Sequence, residues 1–141
     1  MMKQLNDSLW GRGIILIFWT IFFCAIITGV SMGVSSVFAG DVDAGKKVFR
    51  KCNVCHTLEE GGKRKIGPNL FGIMGRASGT AEGFKYSKAM KTAAVTWNVD
   101  TLTQYLSKPK DFIPGNKMAF PGLKKPEQIE NVIAYIIEKS K

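Results

Sequence analysis

Apolar residues along this chain follow two unlike patterns. From residue 14 to residue 30 they run together almost without interruption. After residue 40 they are spaced apart by polar and charged positions, and the spacing is helical. Ile129, Val132, Ile133, Ile136 and Ile137 recur at i, i+3, i+4, i+7 and i+8, which predicts a helix with one buried stripe. It starts at Pro126, a residue favoured in a first turn. A second helix is predicted from a cap at Asn98 through Leu102, Tyr105 and Leu106, stopping before Pro109. A third covers about 43–51, capped by Asp41 or Asp43, with Val48, Phe49 and Cys52 on one face. A short helical turn fits 87–91. Strict alternation is scarce, so strands are not expected. The stretch 57–83 reads as irregular, and so long a loop in a small domain calls for something central to organise it.

Charge sharpens the division at residue 40. Residues 13–40 carry no charged side chain, and a weakly basic start with Lys3 and Arg12 precedes them. This is a secretory signal peptide or a membrane anchor. Val37-Phe38-Ala39 fits the small-x-small preference for cleavage, giving a mature start at Gly40. The length of the apolar run favours retention instead, since about twenty such residues span a bilayer. The two domains expected are therefore 1–40, leader or anchor, with any tether through 13–33, and 41–141, globular. The basic start places the globular part across the membrane, in the periplasm. That part holds 18 basic and 10 acidic residues, a charge of +8. At about 100 residues its core is marginal, and a large apolar cofactor would help it.

The chemistry is concentrated in five consecutive residues. Of three cysteines, Cys24 lies in the leader, and the other two form Cys52-Asn53-Val54-Cys55-His56 with the chain's one histidine. Two thiols three positions apart on a helical turn can form thioethers with one haem edge while the next imidazole faces the iron. A redox dithiol shares the C-x-x-C spacing, but the adjacent histidine and the lack of a βαβ pattern count against it. A zinc site would need two more ligands. With His56 unique, a second axial ligand is best sought among Met74, Met90 and Met118. Met118 lies in a stretch, 113–122, that two prolines and two glycines stiffen. A loop methionine taken alone is more often packing than ligand.

The domain resembles the class I cytochromes c, near the mitochondrial cytochrome c and bacterial cytochrome c2 branch. The matching stretches keep family order across nearly all of 41–140: Gly45-Lys46-Lys47-Val48-Phe49, the 52–57 motif, Gly61-Gly62-Lys63, Gly67-Pro68-Asn69-Leu70, Gly75-Arg76, Gly83-Phe84-Lys85-Tyr86-Ser87, Thr96-Trp97, Tyr105-Leu106, 114–122 and Ile133-Ala134-Tyr135. The resemblance implies an all-α cytochrome c fold, helices wrapped around one haem c held covalently through Cys52 and Cys55. It implies His56 and Met118 as axial ligands, Met118 following His56 by 62 residues. It gives the Pro68 carbonyl to the second ring N–H of His56, assigns Arg76, Tyr86 and Trp97 to the haem propionates, and sets Tyr105 near the Met118 sulfur. Gly45, Phe49, Val132 and Tyr135 would join the first and last helices. The sequence departs from that branch at Arg64, Met90, Phe112 and Pro121; none of these removes a ligand.

An iron with two protein ligands leaves no site for substrate, so the expected function is one-electron transfer, not catalysis. A haem peroxidase or sensor would need an open sixth position. A membrane-tethered subunit of an oxidase or bc1-type complex is the alternative the leader keeps open. Lys46, Lys47, Arg50, Lys51 and residues 63–65 flank the haem attachment, and Lys110, Lys117, Lys124 and Lys125 flank the Met118 loop. Such a basic border steers a monomer to acidic docking surfaces on a bc1-type complex, a terminal oxidase or a photosynthetic reaction centre. Nucleic acid is a poor partner for an exported haem protein.

Overall fold

The computed structural model describes residues 40–140; the leader expected before them lies outside the described residues. Helix α1, Val42–Asn53, begins where predicted. The Asp41 carboxylate accepts the N–H groups of Asp43 (2.8 Å) and Ala44 (3.0 Å), and Arg50 and Lys51 complement the negative end of the helix dipole. Helix α2, Lys88–Thr92, is a single turn and a half capped by Ser87. Helix α3, Val99–Ser107, starts on a reciprocal capping box. Asn98 Oδ1 accepts the Thr101 N–H at 2.8 Å, and Thr101 Oγ1 accepts the Asn98 N–H at 2.9 Å. Helix α5, Pro126–Lys139, is preceded by a short turn, α4, Pro109–Phe112. Pro109 does end α3, as the sequence indicates, but its fixed φ also suits it to open α4, which was not expected.

The first and last described helices cross at Gly45. A Cβ there would run into the carbonyl group of Asn131, 2.7 Å from its carbon, and stand 2.8 Å from the Tyr135 Cβ. Absence of a side chain is what allows the backbones to meet. Phe49 stacks tilted on Tyr135 with ring centroids 5.2 Å apart, while Val132 and Ile133 are wholly buried. Asn131, buried on the same helix, accepts the Asp41 N–H at 2.7 Å and ties the start of α1 to α5. The contact thus joins Gly45, Phe49 and Tyr135 as the resemblance implied, with Asn131 added.

Residues 57–83 form no helix and no named strand. They are organised by specific bonds instead: Gly67 N–H to Cys55 O (2.7 Å), Leu70 N–H to Thr57 O (2.9 Å), and Asn69 Nδ2 to the carbonyls of Glu59 (2.9 Å) and Gly62 (3.0 Å). One isolated antiparallel bridge pairs Ala77 with Thr96, and it carries Arg76 and Trp97 into place. Ala94, just before that bridge, is the non-glycine residue at positive φ (52°) among those described.

Candidate functional site

The last turn of α1 delivers the attachment motif. Both the Cys55 and His56 N–H groups close onto the Cys52 carbonyl, at 3.0 and 2.9 Å, so the chain turns tightly over five residues. The two thiols are half-buried and unpaired. Burial pushes the Cys52 thiol up to about 11, against the pull of Lys51 and with help from Cys55. His56 Nδ1 lies 2.8 Å from the Pro68 carbonyl. A carbonyl can only accept, so Nδ1 carries the proton and Nε2 keeps its lone pair for a metal. Burial lowers the His56 pKa from its ordinary value, the Pro68 bond opposes that, and Lys65 adds to it; the neutral, ligating form is favoured.

Gly67 forms a wall of this half-site that sequence reasoning matched but gave no role. A Cβ at Gly67 would come within 2.5 Å of Cε1, 2.7 Å of Nδ1 and 2.9 Å of Nε2 of His56. The Gly67 backbone therefore lies close against the imidazole, and any side chain there would displace the ring.

The other half-site is built around Met118. Tyr105 Oη donates to the Met118 sulfur at 3.7 Å, the placement the resemblance implied. Burial, and secondarily Tyr86, pushes the Tyr105 phenol up to about 12, so it is a dependable donor at neutral pH. Trp97, buried, packs at 5.0 Å from Tyr105, and Phe112 at 6.2 Å edge-on. Met90 belongs to the buried core cluster, and Met74 packs against it. Asn116, two residues before Met118, is also part of this half-site. It is 2% exposed and bonded to Pro109, Ile113 and Met118. Its signal was an Asx residue in a Pro/Gly loop, a common turn device that does not by itself mark a functional loop.

The residues assigned to the propionates are placed less tellingly. Arg76 Nη1 donates to the Phe71 carbonyl (3.0 Å) and Nη2 to that of Asn69 (3.1 Å), leaving further N–H donors on its fork. Tyr86 is half-buried, edge-on to Phe84 at 4.7 Å, and its phenol is raised by burial while Arg76 and the Ala81 backbone oppose that. Arg64 reaches the 80s segment, its Nη1 3.6 Å from where a Cβ on Gly83 would stand.

A helical domain with two thiols, a tautomer-fixed imidazole and a hydrogen-bonded thioether has the donor set of a c-type haem protein. The comparisons agree. Residues 42–138 match the family Cytochrome c. Cytochrome c of Chlamydomonas reinhardtii is 59% identical over 99 residues, 70% of this chain and 88% of that protein. Cytochrome c of Guizotia abyssinica is 52% identical over 99 residues, 70% of this chain and 89% of that one. Among solved structures, cytochrome cH from Methylobacterium extorquens matches with a TM-score of 0.67 and 40% identity, covering 71% of this chain and all of that one. The chain belongs to the cytochrome c family. It carries one haem c, covalent through Cys52 and Cys55, and is an electron carrier rather than an enzyme.

Proposed function

We propose that His56 and Met118 ligate the haem iron and that the protein shuttles single electrons between a bc1-type complex and a terminal oxidase or photosynthetic reaction centre, in the periplasm. The observation that carries this is that each candidate ligand has a hydrogen-bond partner that orients it: His56 Nδ1 on the Pro68 carbonyl at 2.8 Å and the Met118 sulfur on the Tyr105 hydroxyl at 3.7 Å. Ligands held this way move little between Fe(II) and Fe(III). A thioether donor and a dry pocket both favour the reduced iron and raise the potential. Arg76, Tyr86 and Trp97 are the side chains that would meet the propionates, because two carboxylates in so small an interior need partners.

Docking is electrostatic in this reading. Every basic residue on either side of the site, from Lys46 and Lys47 through residues 63–65 to Lys110, Lys117, Lys124 and Lys125, is exposed. Within the first group lie two exposed apolar side chains, Val54 (70%) and Ile66 (79%). Lys65 Nζ bonds the Asn53 carbonyl at 2.6 Å and Gly67 N–H bonds the Cys55 carbonyl at 2.7 Å, which sets these two segments side by side. The segment before residue 40 would serve as export signal or tether. No helix among the described residues is long and apolar enough to cross a membrane. The test is ionic strength. Turnover with a purified bc1-type complex and terminal oxidase should fall steeply as salt rises, since exposed charges are screened within about 10 Å at 0.1 M. A flat profile with both complexes overturns the docking reading.

A further inference from the structure

Asn116 is polar, almost wholly buried, and completely used. Its Nδ2 donates to the carbonyls of Pro109 (2.6 Å) and Ile113 (2.8 Å), and its Oδ1 accepts the N–H of Met118 at 3.0 Å. Its own N–H bonds the Ile113 carbonyl at 3.1 Å, and its carbonyl accepts Lys110 Nζ at 2.5 Å. Five hydrogen bonds thus tie one residue to α4, to the residue that ends it, and to Met118. The chemistry of the side chain matters. Two donors must fork to carbonyls four residues apart while an acceptor faces the opposite way. A hydroxyl has one donor, and an apolar residue has none.

We propose that Asn116 is the positioning residue that keeps Met118 on the haem iron, setting how often the thioether leaves and an outside ligand can enter. This rests on Met118 being the axial ligand. Methionine is a flexible side chain on a soft donor atom, and nothing in it resists release. The 114–118 segment has no helical ladder of its own, and it turns at Gly115 with φ +85°. Besides the Asn116 N–H on the Ile113 carbonyl, its attachment to the rest of the fold is made by side chains: Asn116 onto α4, Lys110 back onto the Asn116 carbonyl, and Tyr105 onto the sulfur. Moving the Met118 backbone away from the site pulls its N–H from Asn116 or Asn116 from α4. Either motion breaks bonds in a buried site where water does not replace them.

The measurement uses the oxidised holoprotein and imidazole as the entering ligand, followed by loss of the weak far-red band of iron–methionine coordination. Asn116→Ala should take up imidazole roughly tenfold faster than the parent, the size expected for losing a buried hydrogen-bond anchor. Lys110→Met, on an exposed side chain that does not put folding at risk, should show a smaller rise of about twofold. Val132→Ala opens a cavity in the α1–α5 core and lowers overall stability, yet should leave the imidazole rate unchanged. Wild-type rates in both Asn116→Ala and Lys110→Met overturn the proposal. An equal acceleration in Val132→Ala overturns it too, because general loosening then explains the effect. If Asn116→Ala yields no holoprotein, Lys110→Met alone decides. Met118→Ala separates the layers: if it keeps the far-red band, Met118 is not the ligand and the reading beneath has failed.

Discussion

The two halves of the site are held by different kinds of contact. On the His56 side the partners are backbone: the Pro68 carbonyl at 2.8 Å, the close approach of Gly67, and the Gly67 N–H returning to Cys55. On the Met118 side they are side chains: the Tyr105 hydroxyl and the Asn116 amide. Backbone contacts cannot be deleted one at a time without rerouting the chain. Side-chain contacts can be. The histidine half is therefore built as a fixed base, anchored further by two covalent thioethers. The methionine half is adjustable residue by residue, which suits the role proposed for Met118, that of a ligand whose hold on the iron sets potential and lability.

The largest expected effect breaks the fixed half. Gly67→Ala puts a methyl group into the imidazole ring, with no rotamer to escape into because the clash is at Cβ itself. The ring or the 65–68 loop must shift and the Pro68 bond must lengthen. The expected cost is about 3 kcal/mol, at the upper end for overpacking. Holoprotein yield and the denaturant midpoint should both drop. A Gly67→Ala protein with parental stability would show that the loop is free to move, and the contrast between the halves would vanish.

The same contrast explains what the sequence revealed. The histidine half is legible because its chemistry is contiguous: five residues carry both thioether positions and the imidazole. The three main helices are legible because caps and stripes are local. Asn98 with Thr101, Asp41 before Asp43, and the isoleucines of α5 need no knowledge of the rest of the fold. The methionine half is not local. Tyr105, Pro109, Asn116 and Met118 meet through packing, so among three methionines the Pro/Gly loop pointed toward Met118 and the family resemblance was needed to single it out. Pro109 was read as a stop because proline ends a helix more visibly than it begins the next. Gly67 was quoted only as part of a motif, since nothing in a glycine's neighbours says that an aromatic ring will lie on it. Arg76 was expected on a carboxylate, and two of its nitrogens meet backbone carbonyls, which no spacing rule foretells.

A smaller effect sharpens the adjustable half. Tyr105→Phe removes the hydroxyl bonded to Met118 and keeps the ring packed on Trp97. The expected loss is about 1 kcal/mol, the net worth of one hydrogen bond. Its pH signature is more diagnostic. The phenol is raised from 10 to about 12 by burial, so folding favours its protonated form. The stability it contributes is complete below pH 10 and is lost as pH rises through about 12. Parent protein should lose stability across that window, and Tyr105→Phe should lose less. Parallel stability curves for the two proteins between pH 10 and 12 would deny Tyr105 this role.

The smallest effect lies in neither half, and it separates stability from ligand hold. Ala94 sits at φ 52°, where its Cβ crowds the following carbonyl, between α2 and the bridge that carries Trp97. A left-handed alanine costs roughly 1–2 kcal/mol. Glycine relieves that but makes the unfolded chain more flexible, returning about 0.4–1 kcal/mol. Ala94→Gly should therefore stabilise by roughly 0.5 kcal/mol, read as a rise in denaturant midpoint with unchanged slope. Because Ala94 touches neither Asn116 nor Tyr105 by any hydrogen bond seen among the described residues, imidazole uptake should stay at the parental rate. A stabilised protein that also holds its methionine more tightly would mean that ligand release is a global opening. The side-chain anchors would then matter only through total stability, and the distinction between the two halves would be one of construction without a difference in behaviour.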